Sequence, residues 1–279
     1  MLLHPLYWAG VQPDKPAYVM AQSGAVISYS TLRENICRGA QLLHKLGLKC
    51  GDGLALLSEN QADFLTIYWA AQVSGLYFTP ISTQFQNREI EYLLNDCDAS
   101  VLVVSEAQHD KITSDHIPQA HILTCTQWQQ ACRGLPAYLP EYASEGAEML
   151  YSSGSTGSPK GVCNTTPGAS LGTVSDVFQK RLKLHQIDQN TVYLSPAPMY
   201  HSAPLRYNQM VHRVGGTSII MEKFDAETAL SLIEKYRELR EENVKLKGAL
   251  SAHQALRVKH AQIRKLLKHF SAGDSVCVQ

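Results

Sequence analysis

Between two strand-like runs, 148–152 and 161–165, the chain carries Tyr151-Ser152-Ser153-Gly154-Ser155-Thr156-Gly157-Ser158-Pro159-Lys160-Gly161-Val162. No other stretch restricts the fold and chemistry as tightly. Gly154 and Gly157 let backbone N–H groups turn inward as an anion nest. Ser152, Ser153, Ser155, Thr156 and Ser158 add hydroxyl donors, and Lys160 adds a positive charge. Such a cradle suits the β- and γ-phosphates of ATP, where charge develops as pyrophosphate leaves. It is not a Walker loop, because no glycine precedes Lys160 and no Ser or Thr follows it. A plain Ser/Gly linker would not need the Pro-Lys-Gly-Val ending.

The surrounding pattern indicates an α/β body. Val19–Met20 and Ala25–Ser28 flank Ser23-Gly24 as a hairpin. Ser30 or Thr31 is expected to cap a helix with Leu32, Ile36, Ala40 and Leu43 on one face. Strand Leu54–Leu57, helix 62–74, strand Leu76–Pro80, helix 88–97 and strand Val101–Val104 follow. The apolar run 62–81 is interrupted by Asp63 and Gln72 and divided by Gly75, so it reads as a buried helix and strand rather than a membrane span. From Gln108 to Glu145 the pattern is irregular, with one strand at His121–Thr124. Beyond the Ser/Gly loop come a helix near 168–183, a strand at Val192–Ser195, a helix near 205–214 and a strand at Thr217–Met221. Helices alternating with short apolar strands predict sheets flanked by helices.

From Ala226 to Phe270 there is no proline and only one glycine, Gly248. Leu232, Leu239 and Leu246 recur every seven residues, with Ala229, Tyr236, Asn243 and Leu250 as partner row, a coiled-coil heptad with a polar seam residue. The row then shifts to Ala249, Leu256, Ile263 and Phe270. Residues 237–270 hold nine Lys or Arg against three Glu. A homodimer through this helix is one expectation; a long surface helix or an unstructured tail is the other. The basic stretch lacks the aromatic interleaving of a nucleic-acid binder, and no nucleic-acid partner is expected.

The Ser/Gly loop resembles the signature of the adenylate-forming (AMP-binding) superfamily, which includes acyl-CoA synthetases. The usual pattern is Tyr-Thr-Ser-Gly-Thr-Thr-Gly-x-Pro-Lys-Gly-Val. Here Ser152 and Ser155 stand for threonines, and Thr166 stands where a histidine is common. Ser28–Pro80, Leu194-Ser195-Pro196-Ala197-Pro198-Met199-Tyr200-His201, and the stretch from Gly215-Gly216-Thr217 to Phe224-Asp225-Ala226 are also similar to the family. The resemblance covers 1–236. It implies a partial adenylate-forming large domain with mixed sheets flanked by helices; beyond it the residues themselves predict an unrelated basic helical, coiled-coil segment at 237–270 and a tail at 271–279. It implies ATP, Mg2+ and coenzyme A as cofactors and a carboxylic acid, fatty or smaller, as substrate. Ser152, Ser153, Gly154, Ser155, Thr156, Gly157 and Lys160 would bind the ATP phosphates, and Tyr200 and His201 would shape the acyl pocket. Alternatively, His201 is a packed loop histidine. After Tyr236 the family's adenine and ribose elements and its C-terminal lid are not found in the sequence. No catalytic lysine can therefore be named, and a catalytically inactive truncation or fusion acting through the coiled coil is the alternative expectation.

Charge and cysteines narrow the remaining classes. The formal net charge is zero, so nothing global points to nucleic acid or an anionic membrane. The 7 cysteines are scattered without a Cys-x-x-Cys pair, which argues against a zinc site or disulfide framework and suits a reducing cytoplasm. Met1-Leu2-Leu3-His4 has no basic start and Pro5 follows at once, so no signal peptide is expected.

Overall fold

The alternating pattern folds into two sheets with helices between and around them. The computed structural model describes residues 3–112, 120–152, 160–163 and 165–237. Strands β1 (Pro16–Met20) and β2 (Val26–Ser28) form an antiparallel hairpin, and β1 pairs in parallel with β10 (Thr217–Ile220), which pairs with β9 (Val192–Ser195). The second sheet has the order β6-β5-β3-β4-β7-β8. Its strands are β3 (Gly53–Leu57), β4 (Tyr77–Ile81), β5 (Ala99–Val104), β6 (His121–Thr124), β7 (Ala147–Ser152) and β8 (Lys160–Cys163). All its pairings are parallel except the β7–β8 hairpin.

Strand alternation decides which core each side chain enters. Leu54 and Leu56 of β3 join a large core with Tyr18 and Met20 of β1 and Ile220 of β10. Helices α2 (Tyr29–Lys45) and α3 (Ala62–Val73) contribute to that same core and so lie between the sheets. Ala55 and Leu57 enter a smaller core under α4 (Asn87–Asp96) with Ile90, Leu93 and Leu94. Helix α3 has ten consecutive buried residues, Phe64 to Val73, because it has no solvent side. Its buried polar tips find partners: the Trp69 indole N–H donates to His212 Nδ1 at 3.1 Å, and Gln72 donates to the Ala147 carbonyl at 3.3 Å.

Several local expectations are corrected. Ser28, not Ser30 or Thr31, caps α2, its hydroxyl accepting from the Thr31 N–H. The helix expected near 168–183 is α6 (Asp176–Leu184), capped by Ser175; residues 168–175 are irregular, with a bridge from Ala169 to Glu145 and with Gly168 and Gly172 both at positive φ. Helix α7 (Ser202–Arg213) starts three residues before the expected 205. The irregular stretch contains a 3-10 turn (Glu106–Lys111) and α5 (Cys125–Cys132), and Pro5–Val11 forms α1. A reciprocal capping box between Thr124 and Gln127 starts α5.

At the end of α7, Gly215 adopts φ +82, and a Cβ there would lie 2.4 Å from the Trp8 ring. Glycine is thus required twice, by the turn and by the indole. Beside it sits a buried ion pair. The Arg213 guanidinium donates to both Glu145 oxygens, at 3.1 and 2.7 Å, and to the Leu3 carbonyl at 2.9 Å. Glu145 also accepts the Gly172 N–H at 2.7 Å, and Arg213 lies 5.2 Å from the Trp69 ring centroid.

Two histidines share this interior. Burial lowers the His212 pKa from 6.5 to about 3, and its ring stacks on Tyr18 and Trp69, with Tyr29 edge-on. Burial first, and the Arg213 charge second, hold His4 well below its ordinary value. At neutral pH both are uncharged whether folded or unfolded. As pH falls below 6.5 the unfolded chain takes up the protons first, so stability falls with falling pH. The expected slope from these sites is about 1.4 kcal/mol per pH unit per histidine, extending for His212 down to about pH 3. Urea midpoints at pH 7.5, 6.0 and 5.0 test this; a flat series would mean that the histidines charge freely in the fold.

The chain divides into two compact units, Met1–Asp225 and a second beginning at Ala226. In the second unit residues 226–237 are helical, with the Lys235 ammonium 5.5 Å from the Tyr236 ring centroid. The rest of the expected coiled coil and the tail lie outside the described residues. Among the described residues no helix is long and apolar enough to cross a membrane.

Candidate active site

The Ser/Gly motif enters on β7 and leaves on β8. In the antiparallel register Met149 faces Cys163, Leu150 faces Val162, Tyr151 faces Gly161 and Ser152 faces Lys160. Residues directly opposite each other share a sheet face, and successive residues alternate. Lys160 therefore lies on the face of Leu150 and Glu148, and Gly161 on the face of Tyr151. All four β8 residues are exposed. Among the described residues no carboxylate pairs with Lys160, which leaves its ammonium for an anionic ligand. Ser153, Gly154, Ser155, Thr156 and Gly157 lie outside the described residues, as does the side chain of Ser152.

The face that carries Lys160 meets α7 through a polar cluster. Glu148 accepts from Arg206 Nε at 3.0 Å and from the Tyr68 hydroxyl at 3.1 Å, and Gln209 donates to the same hydroxyl at 2.6 Å. Burial, and then the Glu148 charge, push the Tyr68 phenol well above its usual value, so it stays a donor. Arg206 and Gln209 are three residues apart and share one face of α7. These residues carried no sequence signal, because their pairing joins α3, β7 and α7 across long separations.

Tyr200 and His201 sit in the turn that leads into α7, with ring centroids 4.7 Å apart. His201 is the N-cap residue, but its side chain makes no capping hydrogen bond and is exposed. The packed-loop alternative does not describe an exposed ring. Asn60 fixes the turn, donating to the Ala197 carbonyl at 3.1 Å and the Met221 carbonyl at 2.8 Å, and accepting the Met199 N–H at 2.8 Å. Asn60 was missed in the sequence; its only local signal is a polar residue just after the apolar run of β3. No hydrogen bond or ion pair joins Lys160 to Tyr200 or His201 among the described residues. A cavity of about 240 Å³ lined by Arg38, Asp63, Trp128 and Arg133 includes none of these three residues.

The sequence profile described as AMP-binding enzyme matches residues 7–238. The 4-hydroxybutyrate--CoA ligase 2 of Metallosphaera sedula is 30% identical over 246 residues, which is 80% of this chain and 44% of that protein. The long-chain-fatty-acid--CoA ligase FadD13 of Mycobacterium tuberculosis is 28% identical over 253 residues, 88% of this chain and 48% of that one. The chain thus spans about half the length of the curated relatives it matches. Among solved structures, the inhibitor-bound N-terminal domain of FACL13 from Mycobacterium tuberculosis superimposes with a TM-score of 0.73 at 25% identity, covering 84% of this chain and 60% of that one. The ATP-bound MatB of Rhodopseudomonas palustris gives a TM-score of 0.67 at 22% identity, covering 84% and 48%.

Proposed function

The chain belongs to the AMP-binding enzyme family, and from that premise we propose that it forms the phosphate- and acid-binding part of an ATP-dependent acyl-CoA ligase. In such a reaction ATP supplies the adenylyl group that activates a carboxylic acid, and coenzyme A then takes the acyl group as a thioester. The single observation that carries the reading is the β7–β8 hairpin, which presents an exposed Lys160 across from Ser152 at the neck of a Ser/Gly loop.

In this proposal Lys160 offers a point charge to the phosphates, and the hydroxyls and backbone N–H groups of 152–157 complete the cradle. Magnesium arrives with the nucleotide, held chiefly by its phosphates and by water. Tyr200 and His201, held by Asn60, border the acid. The Glu148–Arg206 pair, with Glu148 on the hairpin face that also carries Lys160, sets a polar wall at α7. The acid is a small or fatty carboxylic acid, and the setting is cytoplasmic. A second reading is self-association through the heptad rows of the C-terminal segment without catalysis, favoured by Leu232, Leu239 and Leu246 at seven-residue spacing.

ATP–pyrophosphate exchange by the purified chain, with short, hydroxylated and long-chain acids in turn, tests the proposal. The proposal requires Mg-ATP to raise the melting temperature; acid-dependent exchange would in addition mean that the chain orients the nucleoside without the adenine and ribose elements. No exchange with any acid, with no effect of Mg-ATP on the melting temperature, would sink it and leave self-association as the surviving reading.

A further inference from the structure

The geometry points to Asp96 as a positioning residue for the phosphate loop: with Tyr151 and Gly161 it forms a clamp that fixes the β7–β8 register and so the face on which Lys160 is presented. The inference rests on the phosphate-binding reading above and explains two motif residues that phosphate contact leaves unexplained, the first tyrosine and the last glycine.

Strand β7 is bound to the sheet only at its start. Ala147 and Glu148 pair with Tyr77 and Phe78 of β4, whereas residues 149–152 pair with β8 alone. The loop-bearing end of the hairpin is therefore a two-stranded ribbon, which is marginal by itself. Its four-residue outer strand is exposed throughout, so no buried face specifies its register. A slip of one residue would carry Lys160 to the opposite face.

Tyr151 supplies what pairing does not. Its ring lies across Gly161, where an added Cβ would stand 3.1 Å from Tyr151 Cζ, 3.2 Å from its hydroxyl oxygen and 2.7 Å from Met149 Cε. Any larger residue at the facing position would press on this ring by a few tenths of an ångström, so the contact favours one register over its neighbours. The Tyr151 hydroxyl donates to Asp96 Oδ2 at 2.6 Å. Asp96 is the last residue of α4, which is seated on the sheet through Ile90, Leu93 and Leu94, and the Tyr151 ring packs against that same cluster. Burial, and then the hydrogen bond to Asp96, push the phenol above its ordinary pKa, which keeps it a donor. On one face Leu150 enters the large core, and on the other the ring and hydroxyl of Tyr151 tie the ribbon to α4.

The test uses the full chain with Asp96→Ala, Asp96→Asn, Tyr151→Phe and the Asp96→Ala/Tyr151→Phe double variant. Amide hydrogen exchange in 149–152 and 160–163 is expected to rise about tenfold or more in Asp96→Ala and in Tyr151→Phe, the scale of losing a hydrogen bond to a charged acceptor. The double variant should add nothing further, and Asp96→Asn, which keeps an acceptor, should retain most of the protection. In the Asp96→Ala background, Lys160→Ala should no longer change the Mg-ATP shift in melting temperature, a coupling that loss of general stability would not produce. Unchanged exchange in both single variants would overturn the clamp. Raised exchange with an intact Mg-ATP response would overturn the positioning role while leaving phosphate binding in place. If the wild-type chain ignores Mg-ATP, the phosphate reading and the positioning role fail together, and the exchange data alone then decide the register clamp.

Discussion

Lys160→Ala is expected to remove most of the stabilisation that Mg-ATP confers on the folded chain. A ligand present at 100 times its dissociation constant stabilises by about 2.7 kcal/mol. For a chain of this size that raises the melting temperature by roughly 5–10 °C. Lys160 stands opposite Ser152 at the neck of the loop, exposed and without a carboxylate partner among the described residues. Removing the ammonium therefore breaks no ion pair among the described residues, and its loss is expected to be felt when phosphate is bound. A hydrogen bond to a charged group contributes about 1.5–3 kcal/mol, which is roughly a ten- to hundredfold loss of affinity. The unliganded melting temperature should barely move. Lys160→Arg keeps the charge but not its point geometry, so it should recover only part of the response. Equal Mg-ATP shifts in the wild type and Lys160→Ala would show that the nucleotide, if bound, is held elsewhere.

Glu145→Ala is expected to cost the fold about 3–5 kcal/mol, the usual penalty for leaving one member of a buried ion pair uncompensated. Arg213 and Glu145 are 3% and 5% exposed, so water cannot replace the lost partner. The damage also spreads, because Glu145 holds the Gly172 N–H and Arg213 holds the Leu3 carbonyl. The melting temperature should fall by roughly 6–20 °C. Removing both charges, as in Glu145→Met/Arg213→Leu, should recover much of that loss, since a well-packed apolar pair can match a buried ion pair. If the single and double variants melt alike, the pair's value lies in its packing rather than in its charge.

The sequence made some parts of this molecule legible and hid others, and range along the chain largely decides which. The apolar run 62–81 resolved correctly into helix and strand, because Gly75 sits at φ +68 in the turn between them. Strand β6 and the hairpin at Ser23-Gly24 were readable from local pattern alone. Helix α5 also had a local signal, Thr124-x-x-Gln127, obscured by the prolines around it. The start of α6 lies later than expected because Gly168 and Gly172 take positive φ and Ser175 carries the cap. At the candidate site, the Ser/Gly motif and Tyr200-His201 stood out as short strings. Asn60, Glu148 and Arg206 did not, since each earns its place through a partner 58 to 161 residues away.

The pairing of β1 with β10 joins Tyr18 to Ser218 and Met20 to Ile220. β1 thus waits for a strand made about 200 residues later. At about 5–20 residues per second the delay is roughly 10–40 s on the ribosome. All strands of the six-stranded sheet lie within residues 53–163, so that sheet can be emerging and assembling while β1 has only its hairpin partner β2. During that interval Tyr18 and Met20, destined for the shared core, have only the two-stranded hairpin around them. Until β10 arrives the far edge of β1 stays open, and that is when the nascent chain is most exposed to wrong partners.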